Sequence, residues 1–160
     1  AIGYPGRENE IALLERQHRE QPLSRLSSVT TPEEVMRAVQ AVREVHVAAE
    51  LRTYIVTIVE TTRAHTDVFL GASPRGSLAL YNLSRGLAWI RGRDYVTPDD
   101  IKALSIPALA HRIVLHPSAR MAGHDGREVV SEIVRRVPVP GGATDNGSRR
   151  GRVAALRGEG

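Results

Sequence analysis

The sequence contains no cysteine, which removes disulfides, thiol nucleophiles and cysteine-ligated zinc from consideration. That usage suits a reducing compartment, and a cytoplasmic protein is the expectation. Aromatic residues make up only 4% of the 160 positions. The core must then come from Ala, Val, Leu and Ile, which pack between helices more readily than in a sheet lined with aromatic rows. No apolar run reaches the roughly 18 to 20 residues of a membrane helix. Arg7, Glu8 and Glu10 also break up the start before any signal-like stretch forms. A first residue of Ala instead of Met suits a fragment or a processed chain.

The machinery of nucleotide hydrolysis is missing as well. Lys102, the only lysine, sits in a helical pattern and follows no glycine run, so there is no G-x-x-x-x-G-K-[ST] phosphate loop. No apolar strand ends in an Asp-Glu pair able to hold magnesium and orient water. The chain by itself is expected to be inactive. The six histidines form no H-E-x-x-H and no i, i+4 pair, so no metal site is expected. Ser73, Ser77 and Ser84 lack the histidine and carboxylate setting of a nucleophile.

The net charge of +4 is thinly spread. Half of it lies after Pro140, where Arg149, Arg150, Arg152 and Arg157 outnumber Asp145 and Glu159. Elsewhere acids and bases alternate, and the helix after Thr97 opens with Asp99 and Asp100, which would repel phosphate. The pattern argues against a nucleic-acid partner.

What is present is a repeated way of starting a helix. Thr31-Pro32-Glu33-Glu34, Ser73-Pro74-Arg75 and Thr97-Pro98-Asp99-Asp100 each set a hydroxyl residue before a proline. The hydroxyl can accept a bond from a first-turn amide, and proline fits where its missing N–H would go unused. Helical periods follow: Val35, Val39 and Val42; Leu80, Leu83, Leu87 and Ile90, closed by Gly92; and Ile101, Leu104 and Leu109, continuing to about Leu115 before Pro117. An earlier helix spans about Arg7 to Arg19 with Ile11 and Leu14 inward. Ala48 to His65 reads as helix despite its β-branched residues, because Leu51, Ile55, Ile58 and Val59 recur at helical spacing over that length. A last helix, Gly126 to Arg136, aligns Val129, Val130, Ile133 and Val137. Val45–Val47 and Tyr95–Val96 read as two very short β pieces that pair with each other. The expected class is all-α, a bundle of five to six helices over residues 1–140, with a flexible, disordered tail at 141–160 that holds at most a transient turn around Val153 to Leu156.

One block carries chemistry. In Leu70-Gly71-Ala72-Ser73-Pro74-Arg75-Gly76, the plain reading is a capped helix that begins with an exposed arginine. A cation in the first turn opposes the helix dipole, at a cost of a few tenths of a kcal/mol. Gly76 weakens the helix start further. That helix end nonetheless suits a phosphate, and a guanidinium fork adds matching donors. Arg75 is unfavourable alone and favourable beside an anion.

Leu70 to Arg75, then Leu78-Ala79-Leu80, then Arg91-Gly92-Arg93-Asp94-Tyr95-Val96-Thr97-Pro98-Asp99-Asp100-Ile101-Lys102-Ala103-Leu104, resembles the helical lid of MoxR-type AAA+ ATPases. Ala110 to Leu115, Val137-Pro138-Val139-Pro140 and the opening Ile2-Gly3-Tyr4-Pro5 extend the resemblance over about residues 2–140. It implies a lid domain, with residues 1–6 as the junction from an α/β core that binds ATP and its magnesium. Arg75 takes the place of the sensor 2 arginine, which reaches the terminal phosphate. Gly71, Ser73 and Pro74 orient its helix, while Tyr4 and Pro5 fall where the junction passes near adenine. The resemblance also implies homo-hexameric rings, chaperone-like remodelling and a von Willebrand factor A domain partner. Gly76 and Gly86 depart from the better helix formers usual in the family. The competing reading is a stand-alone helical interaction module without nucleotide chemistry.

Overall fold

A computed structural model describes residues 3–19 and 26–141, with the backbone alone for 17–19. The chain divides into two compact units, Ala1–Val39 and Gln40–Gly160. In the first, α1 covers Arg7–Arg19, at the expected bounds. Ile11 and Leu14 are exposed, not inward. The helix is polar nearly all round, so its few apolar residues do not form a stripe wide enough to bury. α2 (Pro32–Glu44) starts in the first unit and ends in the second. A reciprocal cap opens it. The Glu34 amide donates to the Thr31 hydroxyl at 3.2 Å, and the Thr31 amide donates to the Glu34 carboxylate at 3.0 Å. No α2 residue is fully buried, and Val35 and Val39 are exposed.

The second unit holds α3 (Ala49–Ala64), β1 (Val68–Leu70), α4 (Pro74–Ile90), α5 (Pro98–Leu109), a 3₁₀ turn Ala110–Arg112, β2 (Val114–Leu115), α6 (Pro117–Met121) and α7 (Gly126–Arg136). The all-α class therefore holds, with seven helices among the described residues. The expected pairing of the short β pieces takes the form of one parallel bridge, His46 to Tyr95. The antiparallel β1–β2 pair, Val68 with Leu115 and Leu70 with Val114, was not expected. The helix after Pro98 stops at Leu109, short of Leu115. Pro107 inside it removes one ladder bond, and the chain tightens into the 3₁₀ turn before β2. Pro117 begins α6 at its first position. The expected flexible tail, with its transient turn, falls from residue 142 onward outside the described residues.

The core runs along α3, whose buried side is Leu51, Tyr54, Ile55, Ile58, Val59 and Thr62. Val129, Val130, Ile133 and Val137 join it from α7 as expected. On α4 the expected face holds at Leu80 and in part at Leu87, but not at Leu83 and Ile90. Gly76, Leu80, Ser84 and Ala88 are buried, while Leu83 and Ile90 are exposed. A Cβ on Gly76 would lie 3.1 Å from Leu109 Cδ2 and 3.2 Å from Ala72 Cβ. So α4 packs on α5 through its small residues together with Leu80, and Leu78 and Leu83 turn outward. Gly92, at a φ of 70°, ends the helix, with the Arg93 amide bonded to the Ala88 carbonyl at 2.9 Å.

The α4–α5 connection is closed around the carboxylate of Asp100, which is fully buried. Arg93 binds it through both terminal nitrogens at 2.7 and 2.8 Å, and Arg91 adds a bond of 2.8 Å. The Thr97 amide and hydroxyl complete the shell at 2.9 and 2.8 Å. Burial pushes this carboxyl's pKa up, but the bonds from Arg93 and Thr97 outweigh it and hold the group well below the usual carboxylate range.

Two predictions follow from this packing. Asp100→Asn should cost about 2–3 kcal/mol, because it removes charge-assisted bonds while the half-exposed Arg91 and the less exposed Arg93 can resolvate in part. A depressed folded-state pKa gives stability that is full above the unfolded value of about 3.9 and is lost as pH falls towards the folded value. Denaturant titrations from pH 7 to pH 2 should therefore show wild type losing stability below about pH 4, with a shallower loss in Asp100→Asn. Equal slopes would exclude the buried carboxylate as the cause. The glycines give the second prediction. A Cβ at Gly71 would come within 2.6 Å of Arg63 Cα, whereas one at Gly86, inside α4, meets nothing within 4 Å. Gly71→Ala should destabilise by about 1–3 kcal/mol and Gly86→Ala should stabilise by about 0.5–1 kcal/mol, read as opposite shifts in thermal midpoint.

Candidate functional site

Between β1 and α4 the chain runs against the last turn of α3. Ala72 is fully buried there, so its peptide groups need partners within the protein. Its amide donates to the Thr62 hydroxyl oxygen at 2.9 Å, and its carbonyl accepts from Arg63 Nε at 2.8 Å. Thr62 is itself fully buried and donates its hydroxyl proton to the Val59 carbonyl at 2.6 Å. Gly71 is required because its backbone lies against Arg63. Its φ is not positive, so close approach, not a sharp turn, explains the glycine.

Ser73 stands at the N-cap of α4 in extended conformation, with φ −77° and ψ 172°. Its hydroxyl makes no capping bond, contrary to the expectation for all three hydroxyl–proline starts. The Gly76 amide bonds the Ser73 carbonyl instead, at 2.7 Å. Thr97 differs, since it forms a capping box with Asp100, and its hydroxyl also donates to the Asp100 carboxylate at 2.8 Å. Pro74 is the first helical residue, and Arg75 follows with an amide that has no intrahelical carbonyl to bind. No acid lies in this first turn. The Arg75 side chain is exposed and, among the described residues, forms neither a hydrogen bond nor an ion pair.

That arrangement contrasts with the second arginine block. Arg91 and Arg93 are committed to Asp100, so the Arg-Gly-Arg-Asp-Tyr-Val-Thr-Pro run is structural at both its arginines. Asp99 remains a solvent-facing first-turn acid, 3.9 Å from Lys102. The histidines are dispersed: His124 meets Asp67 at 2.7 Å, His65 lies 3.9 Å from Glu132, and His116 stacks edge-on to Phe69. Among the described residues, no three His, Cys, Asp or Glu side chains stand together in a way that could hold a metal ion. Tyr4 and Pro5, both exposed, precede α1 in the other unit.

Gly71, Ser73, Pro74 and Arg75 are thus brought together at one helix start. Thr62 and Arg63 belong to the same cluster and were missed in the sequence. The available signal was Thr62 itself, a polar residue that continues the apolar stripe Leu51, Ile55, Ile58 and Val59 at helical spacing.

A free guanidinium beside the positive end of a helix is a place where an anion's oxygens can be held. The profile of the AAA lid domain family matches residues 60–133, a span that includes this whole cluster. The uncharacterized protein YeaC of Bacillus subtilis is 39% identical over 139 residues, covering 87% of this chain and 43% of that protein. Chaperone MoxR1 of Mycobacterium tuberculosis is 29% identical over 148 residues, covering 87% of this chain and 39% of that protein. The chain therefore spans less than half the length of these curated relatives. The crystal structure of a candidate ATPase from Cytophaga hutchinsonii superposes with a TM-score of 0.73 at 24% identity, over 86% of this chain and 44% of that one, which supports the fold. With the lid profile lying over the residues that form the arginine-bearing helix start, the chain belongs to the MoxR-type AAA+ ATPases and represents their helical lid domain.

Proposed function

We propose that this lid closes over ATP held by an AAA+ core domain, with Arg75 reaching the terminal phosphate as the sensor 2 residue. The observation that carries the reading is the state of Arg75 itself. It is an exposed cation at the positive end of α4 with no acidic partner among the described residues. Standing alone it works against the helix dipole, and an incoming anion reverses that sign. Ala72, Pro74 and the packed Gly76 hold the helix start, so the guanidinium is presented from a fixed base.

ATP supplies the γ-phosphate, on which negative charge spreads during transfer, and its magnesium belongs to the core. On the lid side, Arg75 binds and orients the terminal oxygens and stabilises the charge that develops there. Gly71, Ser73 and Pro74 orient its helix. Tyr4 and Pro5 are assigned to the adenine end by the family resemblance. Binding draws α4 inward, and loss of the γ-phosphate releases it, which couples hydrolysis to movement of the lid. A chaperone-like role in remodelling partner proteins is supported by the relative named as a chaperone. The resemblance extends the reading to homo-hexameric rings, in which the lid meets its own core and neighbouring subunits, to a von Willebrand factor A domain partner, and to the cytoplasm. No helix among the described residues is long and apolar enough to cross a membrane.

Arg75→Ala in the full-length protein should lower kcat for ATP hydrolysis on the order of 10²-fold, the scale of losing one preorganised donor. The fold should be unharmed. Removing a first-turn cation changes stability by no more than about 0.5 kcal/mol, in the stabilising direction. Steady-state ATPase assays paired with thermal denaturation would read both. Normal turnover together with normal remodelling would count against the assignment.

A further inference from the structure

We infer that Thr62 and Arg63, on the last turn of α3, are positioning residues for Arg75, so that α3 sets where the guanidinium points. The inference rests on the proposed role of Arg75.

The start of α4 has no side-chain cap of its own. Its N-cap hydroxyl, on Ser73, makes no capping bond. One residue upstream, both hydrogen-bonding groups of Ala72 are held by α3, the amide by Thr62 and the carbonyl by Arg63. The Thr62 hydroxyl cannot drift, because its proton is committed to the Val59 carbonyl and its side chain is fully enclosed. Its oxygen is therefore left facing the Ala72 amide as an acceptor. Gly71 brings the two backbones close enough for both bonds to form. Pro74 then fixes φ at the first helical position, and the Gly76 amide holds the Ser73 carbonyl at 2.7 Å, which limits the torsional freedom between the clamped peptide and Arg75. A rotation at Ala72 would swing the first turn, and the guanidinium with it, as one piece.

The test is a double-mutant cycle in the full-length protein, with kcat and KM for ATP and a thermal midpoint measured for each variant. Thr62→Val keeps the shape and removes the oxygen, and Thr62→Ser keeps the oxygen. Thr62→Val should lower kcat by roughly 10- to 100-fold, the scale of a misplacement of about 1 Å, and Thr62→Ser should recover most of it. In an Arg75→Ala background, Thr62→Val should cause almost no further fall, because the group it positions is gone. If Thr62→Val lowers kcat by the same factor with and without Arg75, the positioning role is wrong while the sensor reading stands. If Arg75→Ala alone turns over ATP normally, the sensor reading fails and this inference falls with it. Arg63→Met, at an exposed side chain, supplies the same cycle should Thr62→Val fail to fold. A matching loss with and without Arg75 would overturn the proposal there too.

Discussion

The peptide of Ala72 has nowhere to find water. It is fully buried, and the side chains that satisfy it come from the end of α3, ten and nine residues earlier. Leaving such groups unpaired would cost about 1–3 kcal/mol each, so the crossing of β1 past α3 is specified chemically as well as sterically. Several features follow from it. Gly71 has no room for a side chain, Ala72 itself packs against the position of Gly76, and α4 leaves along a line that brings Gly76 against Leu109 of α5. The arginine at the start of α4 has no acid in its own first turn to pair with.

The two arginine-containing blocks divide the work between them. Arg91, Arg93, Thr97 and Asp100 form a closed shell in which the buried carboxylate has five donor contacts. Such a group holds the far end of α4 to the start of α5 and offers nothing to a ligand. At the other end of the same helix Arg75 has the same side-chain chemistry, with no carboxylate beside it among the described residues. One end of α4 is therefore anchored by charge pairing and the other presents unpaired charge. A helix about 25 Å long, at 1.5 Å per residue, links the two.

The helix starts were legible because proline after a hydroxyl residue is a local signal, and α2, α4 and α5 each begin at the proline. Their caps were less legible. Thr31 and Thr97 open capping boxes as the sequence suggests, whereas Ser73 makes no capping bond and stands beside a segment already held by α3. Counting leucines on α4 gave a buried face that holds at Leu80 but not at Leu83, since the neighbouring helix approaches closely at Gly76 and the buried line continues through Ser84 and Ala88. Large apolar residues mark the core only where neighbours leave them room. The β1–β2 pair was illegible because two or three residues carry no period, and its strands are joined by tertiary contact across α4 and α5. Arg75 was legible as an anomaly, a cation where the dipole disfavours one. Thr62 and Arg63 were not, because their partner lies nine or ten residues away in sequence and meets them only once β1 has turned.

The outward face of α4 shows why one arginine can control a lid on the proposed reading. Leu78, Leu83, Trp89 and Ile90 lie on the side opposite the core and are 62, 47, 41 and 75% exposed. Fully burying one such side chain is worth about 1.5–3 kcal/mol, the same order as a hydrogen bond to a charged group. If closure buried all four completely, the apolar term would exceed anything a phosphate contact adds, and the lid would stay shut whether or not nucleotide was present. All four are already partly covered by their own domain, which trims that term. A ligand shifts an equilibrium only by its differential affinity for the two states. On the proposed reading, apolar contact would bring closure near balance, and a bond from Arg75 to phosphate, available only with ATP in place, would decide its direction.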